Sequence, residues 1–276
     1  MSVLLLAYSL LMLLAGISRD KRLYYGLPVA LLILLLIGPF SWHFVAIALG
    51  YVALSAWMQQ KRGPDWLIWP QRLLWFVVSY GLFSHHLPGY HGLELAQQWV
   101  VKPGSVPVNL YLNVDKVLVA WSLLGWCPLF RPHFTRPWPL SAYWAALLVP
   151  VGIGLLMWLA IALGLVAWQP GLTPWLPLLA VSNLLNTCVA EELLFRGILL
   201  PWLHDKSGPV AALLLSSLLF GVAHLAGGGL YVLLASLAGV LYGLMVQLTG
   251  RLAPAVFCHW ALNMTQLLLL TWPMSR

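Results

Sequence analysis

The stretch Ala190-Glu191-Glu192-Leu193-Leu194-Phe195-Arg196-Gly197 sets two adjacent carboxylates and a guanidinium inside an otherwise apolar run from Leu176 to Leu203. Ionised groups at membrane depth cost roughly 2.5 to 3.5 kcal/mol each even on the lenient insertion scale, so three side by side imply a use. Two further polar sites follow in the next apolar stretches, Phe220-Gly221-Val222-Ala223-His224 and His259-Trp260-Ala261-Leu262-Asn263. Glutamates, two histidines and an asparagine on three apolar helices are the parts of a hydrolytic site built inside a membrane bundle.

Helical spacing divides the roles. Glu192 and Arg196 are i, i+4 and share a face, so pairing lowers the cost of keeping either in the bundle. Glu191 lies about 100° further round the axis, since a helix has 3.6 residues per turn. It therefore faces elsewhere, and in a poorly solvated pocket a carboxylate is shifted toward the range useful for a general base. The plain alternative is that the three charged groups merely pair with one another. His259 and Asn263 are also i, i+4, giving two neighbouring donors of the kind that stabilise a developing oxyanion. Phe220 is i, i+4 from His224 and can pack against its imidazole. A lone His in an apolar helix is more often a satisfied core residue, so each histidine gains its meaning from the others.

The elements that must position these residues are membrane helices. Hydrophobic residues make up 62% of the 276 and charged residues 8%, against a soluble balance of about 45 to 50% and 25%. Spanning needs about 20 apolar residues, and such stretches lie near 2–17, 25–40, 42–58, 66–84, 111–130, 140–168, 176–203, 208–226, 229–249 and 252–272. The first two are short and the fourth holds Arg72, so the expectation is an all-α polytopic transmembrane bundle of eight to ten helices. Residues 1–276 read as a single integral membrane domain. Ser2 to Ile17 is short enough for a signal peptide, but Arg19, Lys21 and Arg22 follow it, the reverse of the order in a cleaved signal. It reads as a retained first helix.

The net charge of +7 does not indicate nucleic acid, because the basic residues sit in short gaps between apolar runs and not on one face. With ten spans, Arg19, Lys21, Arg22, Lys61, Arg62, Arg131, Arg136, Lys206 and Arg251 fall on one side and only Lys102 and Arg276 on the other. Lys and Arg accumulate in cytoplasmic loops, so both termini are expected to be non-cytoplasmic. Many of the 16 Trp lie near the predicted helix ends, as an interfacial belt requires. Cys127, Cys188 and Cys258 are odd in number, lack paired spacing and read as buried small hydrophobes. The longest polar gap, Ser84 to Asn109, holds His85, His86 and His91, for which no matching carboxylate or Cys set is at hand. Asn113, Asp115 and Lys116 read as a helix start stabilised by Asp, with an accessory substrate contact as the alternative.

Glu-Glu-x-x-x-Arg, then Phe-x-x-x-His, then His-x-x-x-Asn, in that order on successive apolar stretches, resembles the CPBP family of glutamic intramembrane proteases. That family includes the CAAX prenyl endopeptidases and the bacterial ABI-type proteins. The motif-bearing core covers about 176–272. The resemblance implies that Glu191 activates a water that His224 holds, that His259 and Asn263 form the oxyanion hole, and that Glu192, Arg196 and Phe220 support the site. It implies no cofactor and no metal, a membrane-associated protein or peptide as substrate, and a multi-pass location, taken as a bacterial inner membrane. The rival within enzymes is a zinc metalloprotease using His224, His259 and one Glu, which lacks the His-Glu-x-x-His pair. A non-catalytic membrane scaffold that keeps the site, and ion-coupled transport, are the readings outside hydrolysis; the second lacks detectable inverted repeats.

Overall fold

The computed structural model describes residues 1–38, 40–60, 65–132, 138 and 142–276. Lys61, Arg62 and Arg136, used above for orientation, lie outside the described residues. The chain forms two compact units: residues 1–95, 111–126 and 185–190 make the first, and 96–110, 127–184 and 191–276 the second.

In the first unit, helices α1 (Ser2–Ile17), α2 (Lys21–Leu34), α3 (Trp42–Gln59) and α4 (Asp65–Phe83) accompany a short α5 (Lys116–Leu124). Every residue of α5 from Val117 to Leu124 is buried, and α1, α3 and α4 all pack on it. Gly16 permits the approach of α1, since a Cβ there would stand 3.2 Å from Trp121 Cα. Trp121 is fully buried and donates from Nε1 to Tyr24 O at 2.9 Å, so its one polar group is satisfied. Asp115 begins α5 as its N-cap, accepting from Lys116 N at 3.1 Å. Its buried carboxylate also lies 2.8 Å from Nδ1 of His85. The acidic helix start is thus observed, and one of the three loop histidines is its partner. Strands β1 (Leu93–Trp99) and β2 (Val108–Leu112) pair in a two-stranded sheet within the Ser84 to Asn109 region and just beyond it.

The second unit holds the motifs. It contains α6 (Ala142–Ala162), most of a continuous helical stretch Leu176–Val222, α10 (Gly229–Thr249) and α11 (Ala253–Leu269). The continuous stretch comprises α7 (Leu176–Ser182), a π-helical turn Asn183–Cys188, α8 (Val189–Glu192), a second π segment Leu193–Leu199 and α9 (Leu200–Val222). At 47 residues and 1.5 Å per residue it would be about 70 Å long if straight, more than twice the hydrocarbon thickness. It is not straight. Gly208 adopts φ 78°, ψ 172°, a conformation open to glycine and strained for other residues. Polar His204, Asp205, Lys206 and Ser207 precede that break, which matches the separate spans expected over 176–203 and 208–226.

Helix α10 is central, packing against α6, α9 and α11. Gly221 lets α9 and α10 approach closely, for a Cβ there would be 2.5 Å from Val232 O. Around the end of this unit, Lys102 is buried and donates from Nζ to Gln169 O and Leu270 O, both at 3.0 Å. Burial holds its pKa below the usual lysine value. One of the two basic residues assigned to the non-cytoplasmic side is therefore a buried structural tie.

Among the described residues three helical stretches are long and apolar enough to cross a membrane: Tyr143–Ala162, Leu176–Val222 and Gly229–Thr249. This supports a helical membrane protein and corrects the count of eight to ten. The reason is local. Helices α1 and α2 have 16 and 14 residues, α2 contains Lys21, Arg22 and Pro28, and α5 has only 9. The expected 111–130 span is in fact part of a strand, a short buried helix and a turn.

Candidate active site

The seven motif residues converge in the second unit, from three stretches of chain. Glu191 and Glu192 occupy the single α-helical turn between the two π segments. Such π-helical insertions often mark functional sites; here they leave the α-helical offset between the two glutamates intact. Glu192 and Arg196 are both 0% exposed. Arg196 Nη1 donates to Glu192 Oε1 at 3.1 Å, and Nη2 donates to Gly239 O at 2.9 Å. Gly239 allows the close approach: a Cβ would stand 3.0 Å from Nη2 and 3.1 Å from Ser217 Cα, so both would have to give way. Aromatic rings complete the guanidinium's surroundings, with Cζ 4.4 Å from the Phe220 centroid, 5.3 Å from Tyr242 and 5.8 Å from Phe195. A desolvated cation gains most from such faces.

His259, also buried, lies 2.9 Å through Nδ1 from the same Glu192 Oε1. An oxygen that already accepts from Arg196 is a carboxylate acceptor, so Nδ1 carries the proton and Nε2 is the nitrogen left for other partners. His224 is set differently. It follows the last turn of α9, and its Nδ1 is 2.8 Å from Phe220 O. A carbonyl can only accept, so His224 Nδ1 carries a proton, and Nε2 is the nitrogen turned to Glu191. That Nε2 lies 3.9 Å from Glu191 Oε2, too long for a direct hydrogen bond. Glu191 is itself buried. The ring of Phe220 touches those of His224 (4.7 Å) and His259 (5.7 Å), linking the two histidines.

A cavity of about 80 Å³ is lined by His224, His259, Asn263, Phe220, Tyr231 and Tyr242, with Gln266 and apolar residues completing its wall. Asn263 Nδ2 donates to Asn183 Oδ1 at 3.1 Å. Among the described residues Glu191 does not line this cavity and reaches the site through His224. Nor do three His, Cys, Asp or Glu side chains come together there as a metal-ligand set. The structure thus brings together all the residues singled out by spacing and adds four. Asn183, a polar residue eight positions before Glu191 in an apolar run, carried the same intramembrane signal as the motifs. Gly239, Tyr231 and Tyr242 carried none, because glycines and tyrosines are ordinary in apolar helices.

Fold and site together define a helical membrane protein with a buried ionised cluster at the edge of a small cavity. Residues 173–265 match the family model of type II CAAX prenyl endopeptidase Rce1-like proteins. This is the CPBP-type resemblance read from the motifs, and the match spans all seven motif residues. The matched segment is about a third of the chain, and over it the chain is similar to that family of membrane-embedded CAAX endopeptidases. No curated protein and no solved structure matches the chain.

Proposed function

We propose that this protein is an intramembrane endopeptidase that hydrolyses a peptide bond of a membrane-associated protein or peptide with glutamate-activated water. The observation that carries the reading is the facing of Glu191 Oε2 and His224 Nε2 at 3.9 Å; in the neutral imidazole with its proton on Nδ1, Nε2 is an acceptor. Two acceptors at that separation can both bind one water, each at about 2.8 Å. Glu191 takes a proton from that water as its oxygen attacks the scissile carbonyl, and later returns it to the leaving amine. The oxyanion that forms would be met by the Asn263 amide and by His259 Nε2. The latter donates only when it too is protonated, and the Glu192 carboxylate at Nδ1 balances that charge. Water is the nucleophile, so no acyl-enzyme forms.

Access from the bilayer is supported by a second, larger hollow. An apolar groove of about 930 Å³ is lined by residues of α6, α10 and α11, and Met157 lines both it and the site cavity. A substrate held in lipid can approach the histidines along that wall. The direct test uses membranes carrying the wild-type protein or Glu191→Ala, with released peptides read by mass spectrometry. Peptides that appear only with the wild type are the expected result, and identical peptide sets would remove the reading.

The reaction needs no metal, so activity is expected to survive thorough chelation of the purified protein. Loss of activity that stoichiometric zinc restores would favour the metalloprotease instead, with His224, His259 and a glutamate as ligands. The location proposed is a bacterial inner membrane with both termini non-cytoplasmic, and helices beyond the three longest contributing to the embedded bundle. A reporter active only in the cytoplasm should work when inserted between Arg131 and Arg136 and fail at the C-terminus. The opposite pattern would invert the orientation.

A further inference from the structure

Tyr242 packs against both the ion pair and the imidazole, and neither the motifs nor the chemistry above uses it. It lies on α10, 1% exposed, with the His259 ring stacked on it at 4.6 Å and 15° between planes. The Arg196 guanidinium sits 5.3 Å from the same tyrosine ring. On another side Phe220 meets His259 edge-on, at 5.7 Å and 87°.

The His259 imidazole is held through Nδ1 by Glu192 Oε1 at 2.9 Å. One hydrogen bond is soft in distance and angle and still lets the ring swing about Cβ–Cγ, carrying Nε2 with it. A flat ring stacked on the imidazole removes that rotation, much as outer partners fix the orientation of ligating or catalytic histidines. We propose that Tyr242 is a positioning residue for His259: its ring fixes the imidazole plane, so that Nδ1 stays on Glu192 and Nε2 stays on the cavity that both residues line. The inference rests on the endopeptidase reading for its consequence, though not for its geometry. Because the aromatic face does the positioning, phenylalanine replaces tyrosine and an aliphatic side chain does not.

The experiment uses the full chain with ¹⁵N-labelled histidine in lipid nanodiscs, His259 being assigned by its loss in His259→Gln. The ¹⁵N spectrum reports which ring nitrogen holds the proton. Wild type and Tyr242→Phe are expected to show one tautomer, protonated on Nδ1, whereas Tyr242→Leu shows a mixture. Cleavage is followed on a membrane-anchored peptide released by wild type and not by Glu191→Ala. There Tyr242→Leu should lose about 10²-fold in kcat, the scale of a small misplacement of a reacting group, with KM little changed and Tyr242→Phe close to wild type. If Tyr242→Leu does not fold, Tyr242→Met, nearer in volume, carries the same comparison. A single Nδ1 tautomer together with wild-type kcat in the aliphatic variant overturns the proposal. The tautomer readout needs no turnover, so failure of the protease reading shows separately, as indifference of peptide release to Glu191→Ala.

Discussion

Glu191→Gln is expected to abolish turnover while leaving folded protein in the membrane. Glutamine keeps the shape of the side chain and its hydrogen-bonding capacity but cannot accept a proton from water. Loss of one positioned general base forfeits about 10² to 10⁴ in rate. The structure gives a reason for the upper end. An isosteric amide nitrogen would stand at the same 3.9 Å from His224 Nε2, too far to bond it directly. Turned toward the water between them, it could only donate, so the water would lose both its base and one of its two acceptors. The fold should survive, because the buried Arg196 guanidinium donates to Glu192, which the substitution leaves in place. Turnover and detergent melting measured side by side decide the matter. Near-normal cleavage by Glu191→Gln would remove it as the base.

What could be read from the sequence was governed by the bilayer. Charges in apolar helices are expensive, so Glu191, Glu192, Arg196, His224 and His259 stood out without any structure, and the i, i+4 rule paired Glu192 with Arg196 correctly. The rule could not show that His259 shares Glu192 Oε1 with that arginine, because Glu192 and His259 are 67 positions apart in sequence. It also treated the stretch around Glu191 as one regular α-helix. The two π segments depend on how the backbone is packed, and no residue type announces them. Helix counting failed for a related reason. Hydropathy cannot distinguish a lipid-facing span from a helix apolar all round because protein surrounds it, which is the state of α5. Gly208 was legible in hindsight as a break, lying after four polar residues and before Pro209, and the expected division there was right.

Glu192→Gln is expected to lower yield and thermal stability as well as activity, which separates it from Glu191→Gln. Glu192 Oε1 receives both Arg196 Nη1 and His259 Nδ1. Without the carboxylate, a fully buried guanidinium keeps only the Gly239 carbonyl and three aromatic faces. Cation–π contacts give about 2 kcal/mol or somewhat more when desolvated, whereas a buried pair broken on one side costs about 3 to 5 kcal/mol. The pair term wins, and glutamine's neutral oxygen recovers only part of it. Spare bonds are few: Glu192 Oε2 and Arg196 Nε find no hydrogen-bond partner among the described residues. Removing both charges together, as Glu192→Leu with Arg196→Met, should restore much of the melting temperature, since an apolar replacement of a buried pair is often neutral or better. It should not restore turnover, because His259 Nδ1 would then have lost its acceptor. If Glu192→Gln instead melted like wild type and was inactive, while Glu191→Gln still cleaved, the roles of the two glutamates would have to be exchanged.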